Sequence, residues 1–274
     1  MSITKAIIPV AGWGTRRLPI TKAVEKCMLP IGNVPVIDFV VQDCLRAGIT
    51  DIYFVVSGEA EQLRRYYSHA TDLESYLREN NKEDAISLIT PPEARFHFVT
   101  QDTTNGQYGT TVPVWLCRDI VTPGEQVLVI MGDQFFYRSD AGSNAADLIR
   151  EVTSTGARCG LLGVPVPDEE VHNYGIIEKD SQDNYVRIVE KPDFDDAPSN
   201  LNNASFYLID AELFVYFDHQ MNAPHQGEYF IIDPINEYVK QGGQVIVRAA
   251  KGEYLDAGTE RGWLHANNVV LANK

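Results

Sequence analysis

The turn Ala11-Gly12-Trp13-Gly14-Thr15-Arg16 follows a short apolar run, and Lys22 and Lys26 come soon after it. Glycines placed directly after a strand let backbone N–H groups face a phosphate with no Cβ in the way. Thr15 adds a hydroxyl donor, Arg16 a planar fork that suits phosphate oxygens, and Lys26 a point charge. The chemistry on offer is the holding of a polyanion. A lone GxG is common wherever a strand meets a helix, and Lys22 and Arg17 read equally well as solvated charge. A dinucleotide-binding GxGxxG needs glycine where Arg17 stands. The second strand also lacks an acidic residue at its end, so a nicotinamide-dependent enzyme is disfavoured.

Two further groups could do chemistry. Asp133 ends an apolar strand, where an α/β sheet opens its crevice, and a carboxylate there suits Mg²⁺ as well as it caps a turn. Glu190 and Lys191 end a hairpin: the carboxylate can accept from neighbouring hydroxyls and the ammonium can neutralise a phosphate.

Such residues need strands to place them. Ala6–Val10 and Ile52–Val56 read as buried strands around a helix over Pro35–Ala47, with Gly48 just past its end, giving a right-handed βαβ unit. Charged helices are predicted over Glu61–Tyr67 and Thr71–Lys82, a strand over Phe96–Thr100, and a helix over Val112–Ile120. Val127–Met131 is a buried strand, Ala145–Thr155 a helix closed by Gly156, and Cys159–Pro165 another strand. Gly175–Glu178 and Tyr185–Glu190 form a hairpin, with a polar loop over Asp193–Asn203. A strand (Ser205–Ile209), two helices (Ala211–Phe217, Asp233–Gln241), a strand (Gln244–Ala249) and a helix (Arg261–Asn273) complete the chain. The expected fold is α/β: a Rossmann-like, mixed but mainly parallel sheet flanked by helices, with a small β-hairpin part, read as one domain over 1–274.

The run KAIIPVAGWGTRRLPITKAVEKCMLPIGNVP closely resembles the signature of the sugar-1-phosphate nucleotidyltransferases, above all the bacterial UTP–glucose-1-phosphate uridylyltransferases. It agrees at Gly12, Gly14, Thr15, Arg16, Lys26, Met28, Leu29, Pro30 and Pro35, and departs at Cys27 and at Val34, where the family usually has lysine. The resemblance implies that Ala11, Gly12, Gly14, Thr15, Arg16 and Lys26 bind the nucleotide. It continues in order along the chain. Gln101 and Gly106 resemble the base-reading loop, and a glutamine can donate and accept toward uracil or thymine. Asp133 and Asp256, the latter in YLDAGT, resemble the two magnesium carboxylates. Glu190 and Lys191 in EKP, Gly175 in NYGII and Asn202 resemble the sugar-phosphate site. Asn202 and Ser205 stand where the family usually has alanine and glycine, and the segment near Glu228 lacks a second acidic residue. The insert over Tyr66–Lys82 resembles the uridylyltransferases. The resemblance implies that 1–135 serves mainly nucleotide and 136–274, with its hairpin, mainly sugar phosphate. The implied reaction is Mg²⁺-dependent transfer of the uridylyl group of UTP to glucose 1-phosphate, giving UDP-glucose and pyrophosphate, with dTTP or another sugar 1-phosphate as the alternative substrates. Arg16, Lys26, Asp133 and Lys191 would be its catalytic residues, and a homo-oligomer (dimer or tetramer) is implied with it. A nucleotide-sugar sensor is the non-enzymatic alternative.

Bulk properties set the frame. Of 274 residues, 44% are hydrophobic, enough for a sizeable core, and the formal net charge is −15. That charge repels nucleic acid and anionic lipid, so neither is expected as a partner, and an anionic substrate needs local cations and metal. Cys27, Cys44, Cys117 and Cys159 form no CxxC pair, which argues against a zinc site. With no signal-like or membrane-length apolar stretch, a cytoplasmic protein is expected.

Overall fold

Parallel strand pairing organises the first half of the chain. The computed structural model describes residues 3–58 and 60–273. The expected 1–274 domain therefore includes Met1, Ser2, Glu59 and Lys274, which lie outside the described residues. Strand β1 (Lys5–Pro9) leads through short 3-10 turns and a tiny hairpin, β2 (Pro30–Ile31) with β3 (Val34–Pro35), to α1 (Val36–Arg46) and β4 (Asp51–Val56). Then come α2 (Glu61–Tyr66), α3 (Thr71–Glu79), β5 (Arg95–Thr100), α4 (Thr111–Leu116) and β6 (Gln126–Ile130). Strand β1 pairs in parallel with both β4 and β6, and β4 with β5. Along these strands alternate residues enter different cores. Ala6, Ile8, Ile52 and Leu128 pack on one face, Ile7, Val55, Val127 and Val129 on the other. Burial on both faces is why these strands read as unbroken apolar runs.

The second half turns the sheet antiparallel. It contains β7 (Gln134–Tyr137), α5 (Asn144–Thr155), β8 (Cys159–Pro165), β9 (Gly175–Lys179), β10 (Tyr185–Glu190) and β11 (Leu201–Asp210). It closes with α6 (Phe214–Asn222), α7 (Ile232–Lys240), β12 (Val245–Ala249), β13 (Glu253–Asp256) and α8 (Glu260–Ala272). The long β11 joins the halves. Its C-terminal part pairs antiparallel with β6, and its other edge pairs with β8. Its N-terminal part meets the β9–β10 hairpin at Asn202 and Ile176. Strand β12 adds to β8 in parallel, completing a nine-stranded sheet.

Several expectations change. The predicted polar loop over Asp193–Asn203 ends early because β11 begins at Leu201. The predicted helix over Val112–Ile120 stops at Leu116 and continues as a 3-10 turn. The helix expected from Ala211 starts as a 3-10 turn, and α6 runs from Phe214 to Asn222. The antiparallel pair β7–β13 was not expected; it sets Gln134 opposite Asp256. Among the described residues, no helix is long and apolar enough to cross a membrane.

Candidate active site

A cavity of about 590 Å³ opens beyond the C-terminal ends of β1, β5 and β6. Its wall includes Ala11, Gly12, Gly14, Lys26, Gln101 and Asp133, so the structure brings these six expected residues together. Two glycines make the approach possible. A Cβ at Gly132 would lie 2.4 Å from Val10 Cγ1, where the ends of β1 and β6 converge. Gly14 has φ +63°, and a Cβ there would lie 3.0 Å from Thr21 Cγ2. The Thr21 hydroxyl donates to the Gly14 carbonyl (2.9 Å), folding the loop back on itself. This return carries Lys26 to Asp133, and the two form an ion pair.

Asp256 arrives on β13, beside Asp133. The Ala257 N–H donates to the Asp133 carbonyl (3.2 Å). Asp256 Oδ1 accepts from the Gly258 N–H (2.7 Å). A Cβ at Gly258 would be 2.7 Å from that oxygen and 3.4 Å from Lys26 Nζ, so glycine leaves the room these groups need. Tyr254 donates to Gln134 Oε1, and Gln134 Nε2 donates to the Ala204 carbonyl, bracing the pair from behind. Burial, then the Asp256 and Asp133 charges, push the Tyr254 phenol upward, so it remains a donor. Two carboxylates against one lysine leave local negative charge. Hard oxygens of this kind suit Mg²⁺, which takes one or two carboxylates together with substrate phosphates. No group of three or more His, Cys, Asp or Glu residues suited to a metal occurs among the described residues. Cys27 also touches the cavity, but burial, then Glu25, push its thiol up to about 12, away from thiolate chemistry.

The expected sugar-side residues form a second group. Glu190 lies opposite Gly175 in the hairpin, and a Cβ at Gly175 would sit 2.9 Å from Glu190 Oε2. Lys191 adopts φ +46°, and its N–H donates to the Tyr174 carbonyl (2.9 Å). Asn202 is buried beside Ile176. The Tyr174 phenol is pushed upward by burial, then by the Glu170 and Asp256 charges.

Other expected residues stand apart. Thr15 and Arg16 are exposed and do not line the cavity. Gly106, at φ +81°, is exposed on the loop after Gln101. Lys22 is exposed, but Arg17 is not ordinary solvated charge: it is only 7% exposed, with its guanidinium 5.4 Å from the Trp263 ring centroid. Its Nε and Nη1 have no hydrogen-bond partner. Nothing in the sequence marked that burial, which depends on α8 returning to the loop.

Two aromatic residues of the wall, Trp13 and Tyr108, were not singled out from the sequence. An aromatic residue between two glycines of a phosphate loop was the available signal. The segment after Tyr108 is tied to the far half of the chain. Tyr229 N–H donates to the Tyr108 carbonyl (2.9 Å), and Thr111 N–H donates to the Tyr229 carbonyl (3.0 Å). Ile231 N–H donates to the Thr110 hydroxyl (2.9 Å). Thr110 precedes α4, yet its hydroxyl is used here rather than to cap its own helix. Gly109 permits this approach: its φ is +121°, and a Cβ would lie 2.4 Å from the Tyr229 carbonyl oxygen.

The chain has relatives among known proteins. Residues 5–273 match the nucleotidyl transferase family. The chain is 32% identical over 271 residues to a UTP–glucose-1-phosphate uridylyltransferase of Streptococcus pneumoniae, covering 96% of this chain and 88% of that protein. It is 32% identical over 277 residues to the Escherichia coli (strain K12) protein of the same name, covering 96% and 89%. Among solved structures it is similar to a UTP-bound UGPase from Acinetobacter baumannii, with a TM-score of 0.87 at 26% identity over 98% of this chain and 93% of that one. It is also similar to a UDP-glucose pyrophosphorylase complexed with UDP-glucose, with a TM-score of 0.81 at 26% identity over 99% and 100%.

Proposed function

The chain belongs to the nucleotidyl transferase family, and we propose that it transfers the uridylyl group of UTP to glucose 1-phosphate, giving UDP-glucose and pyrophosphate. The observation that carries this reading is the meeting of Lys26 with Asp133, beside Asp256, in the cavity beyond the parallel strands. Glu190, opposite Gly175, and Lys191 end the β9–β10 hairpin.

A phosphate oxygen of glucose 1-phosphate attacks the α-phosphorus of UTP in line. A new O–P bond forms, the bond to the β-phosphate oxygen breaks, and pyrophosphate leaves with the electron pair. The nucleophile is already ionised near neutral pH, so no general base is required. Catalysis then consists of positioning and charge neutralisation. Lys26 meets the charge that develops on the departing pyrophosphate. Arg16, exposed at the loop, joins it when the triphosphate is bound. Lys191 holds the attacking phosphate and Glu190 accepts from sugar hydroxyls, while Gly175 and Asn202 shape the sugar pocket. Gln101 reads the base, with Gly106 on the same loop. Enzymes of this family generally use a divalent metal, and we assign Mg²⁺ to Asp133 and Asp256, where it would neutralise charge on the reacting phosphates. The four buried free cysteines accord with a cytoplasmic protein. A homo-oligomer, dimer or tetramer, remains part of this reading and is checked by light scattering.

The test is pyrophosphate release from purified protein with UTP, glucose 1-phosphate and MgCl₂. Release that requires both substrates and stops with EDTA is expected. Release with dTTP but not UTP would replace the base assignment, and release with neither, across a panel of sugar 1-phosphates, would overturn the enzymatic reading.

A further inference from the structure

The chain has three tryptophans, and two have clear structural work. Trp115 donates its indole N–H to Asp218 (2.7 Å) and carries the Arg118 guanidinium 4.3 Å from its ring centroid. Trp263 donates to the Pro30 carbonyl (2.7 Å) and lies under Arg17. Trp13 has neither an indole hydrogen bond nor a ring contact among the described residues, and it is 69% exposed. It stands on the cavity wall between Gly12 and Gly14. Tyr108, on the loop after β5, lines the same cavity, is 55% exposed and likewise has no ring contact among the described residues. Two exposed rings on the wall of one cavity differ from apolar residues scattered singly over a surface, and exposed apolar patches mark places where a ligand or partner binds.

Both rings are carried by backbone that is held in place. The Tyr108 carbonyl accepts from Tyr229, and Gly109 seats the next residue against that segment. Trp13 precedes Gly14, whose carbonyl accepts from Thr21. The rings offer no positive charge to a phosphate, whereas Lys26 on the same wall does. A flat heteroaromatic ring is the part of a nucleoside triphosphate that gains most from an aromatic face, by about 1–3 kcal/mol per stacked base.

We propose that Trp13 and Tyr108 are the two aromatic walls of the nucleobase compartment and contribute to nucleotide affinity through the base rather than the phosphates. This rests on the reading of the cavity as a nucleoside triphosphate site. It assigns a binding role to the variable position of the GxGTR loop, through its side chain.

The test is calorimetric titration of full-length protein with UTP and, separately, with inorganic pyrophosphate, for wild type, Trp13→Ala, Trp13→Phe and Tyr108→Ala. Trp13→Ala and Tyr108→Ala are each expected to weaken UTP by about five- to fiftyfold, and pyrophosphate by less than about twofold. Trp13→Phe, which keeps a ring, recovers most of the UTP affinity. Tryptophan emission of the wild type changes on UTP addition, and the change is lost in Trp13→Phe although Trp115 and Trp263 remain. UTP binding unchanged in both alanine variants would overturn the proposal. So would equal loss of UTP and pyrophosphate, which would place the rings on the phosphate end. If the wild type binds another nucleoside triphosphate in place of UTP, the uridylyl reading fails, and the same variants titrated with that nucleotide still decide the role of the rings.

Discussion

At the nucleotide end of the site, Gly12, Lys26 and Asp133 follow β1 and β6, parallel strands whose successive residues fill two separate cores. At the sugar end, Glu190, Lys191 and Asn202 stand on a hairpin and on a strand with a bulge between Asn203 and Tyr207. A strand packed on both faces fixes the atoms at its end, because a shift would disturb two cores together. A hairpin with a solvated face imposes less. The departures from family pattern at Asn202 and Ser205 fall at the second end, and so do the left-handed conformations of Lys191 and Ser205, at φ +46° and +50°. On the proposed assignment, the rigid end holds the reaction and substrate preference has room to vary at the looser one.

The sharpest way to break this comparison is Asp133→Asn. Turnover at saturating substrates is expected to fall by about a hundredfold or more, with folding unchanged by circular dichroism. Turnover within a few-fold of wild type would remove Asp133 from the chemistry. Lys191→Ala should raise KM for glucose 1-phosphate by about tenfold and leave KM for UTP unchanged, since it removes one charge-assisted contact. A matching rise for UTP would mean that the two ends are not separable. Asn202→Ala is expected to shift the preference between glucose 1-phosphate and galactose 1-phosphate by about threefold, read as a ratio of kcat/KM values. The smallest effect tests strain. Ser205→Gly should stabilise the fold by about 1 kcal/mol and raise Tm by about 2 °C. Ser205 N–H is already turned toward Asn203 Oδ1 (3.1 Å), so a lower Tm would show that the serine side chain contributes more than its backbone costs.

The same contrast explains what could be read from the sequence. The ends of β1 and β6 were legible because doubly buried strands are plain apolar runs and glycine follows each. The hairpin carrying Glu190 was legible from alternation around a polar turn. The start of β11 was not, because Asn202 and Asn203 are amides at strand positions and look like loop. The β7–β13 pair was missed because QFFY and EYLD are only four residues each, and their pairing joins distant parts of the chain. The Lys26–Asp133 pair and the burial of Arg17 are tertiary facts with no local pattern.

The hydrogen bond between Thr110 and Ile231 joins positions 121 residues apart, yet it constrains length as much as position. One residue inserted between Gln107 and Val112 would move the Tyr108 carbonyl out of line with Tyr229 N–H and press a side chain where Gly109 now leaves none. A change of length in one of these two stretches therefore calls for a compensating change in the other. A transplant of the 101–110 loop from a relative, made to alter base preference, retains a working cavity only when 225–231 comes from the same donor.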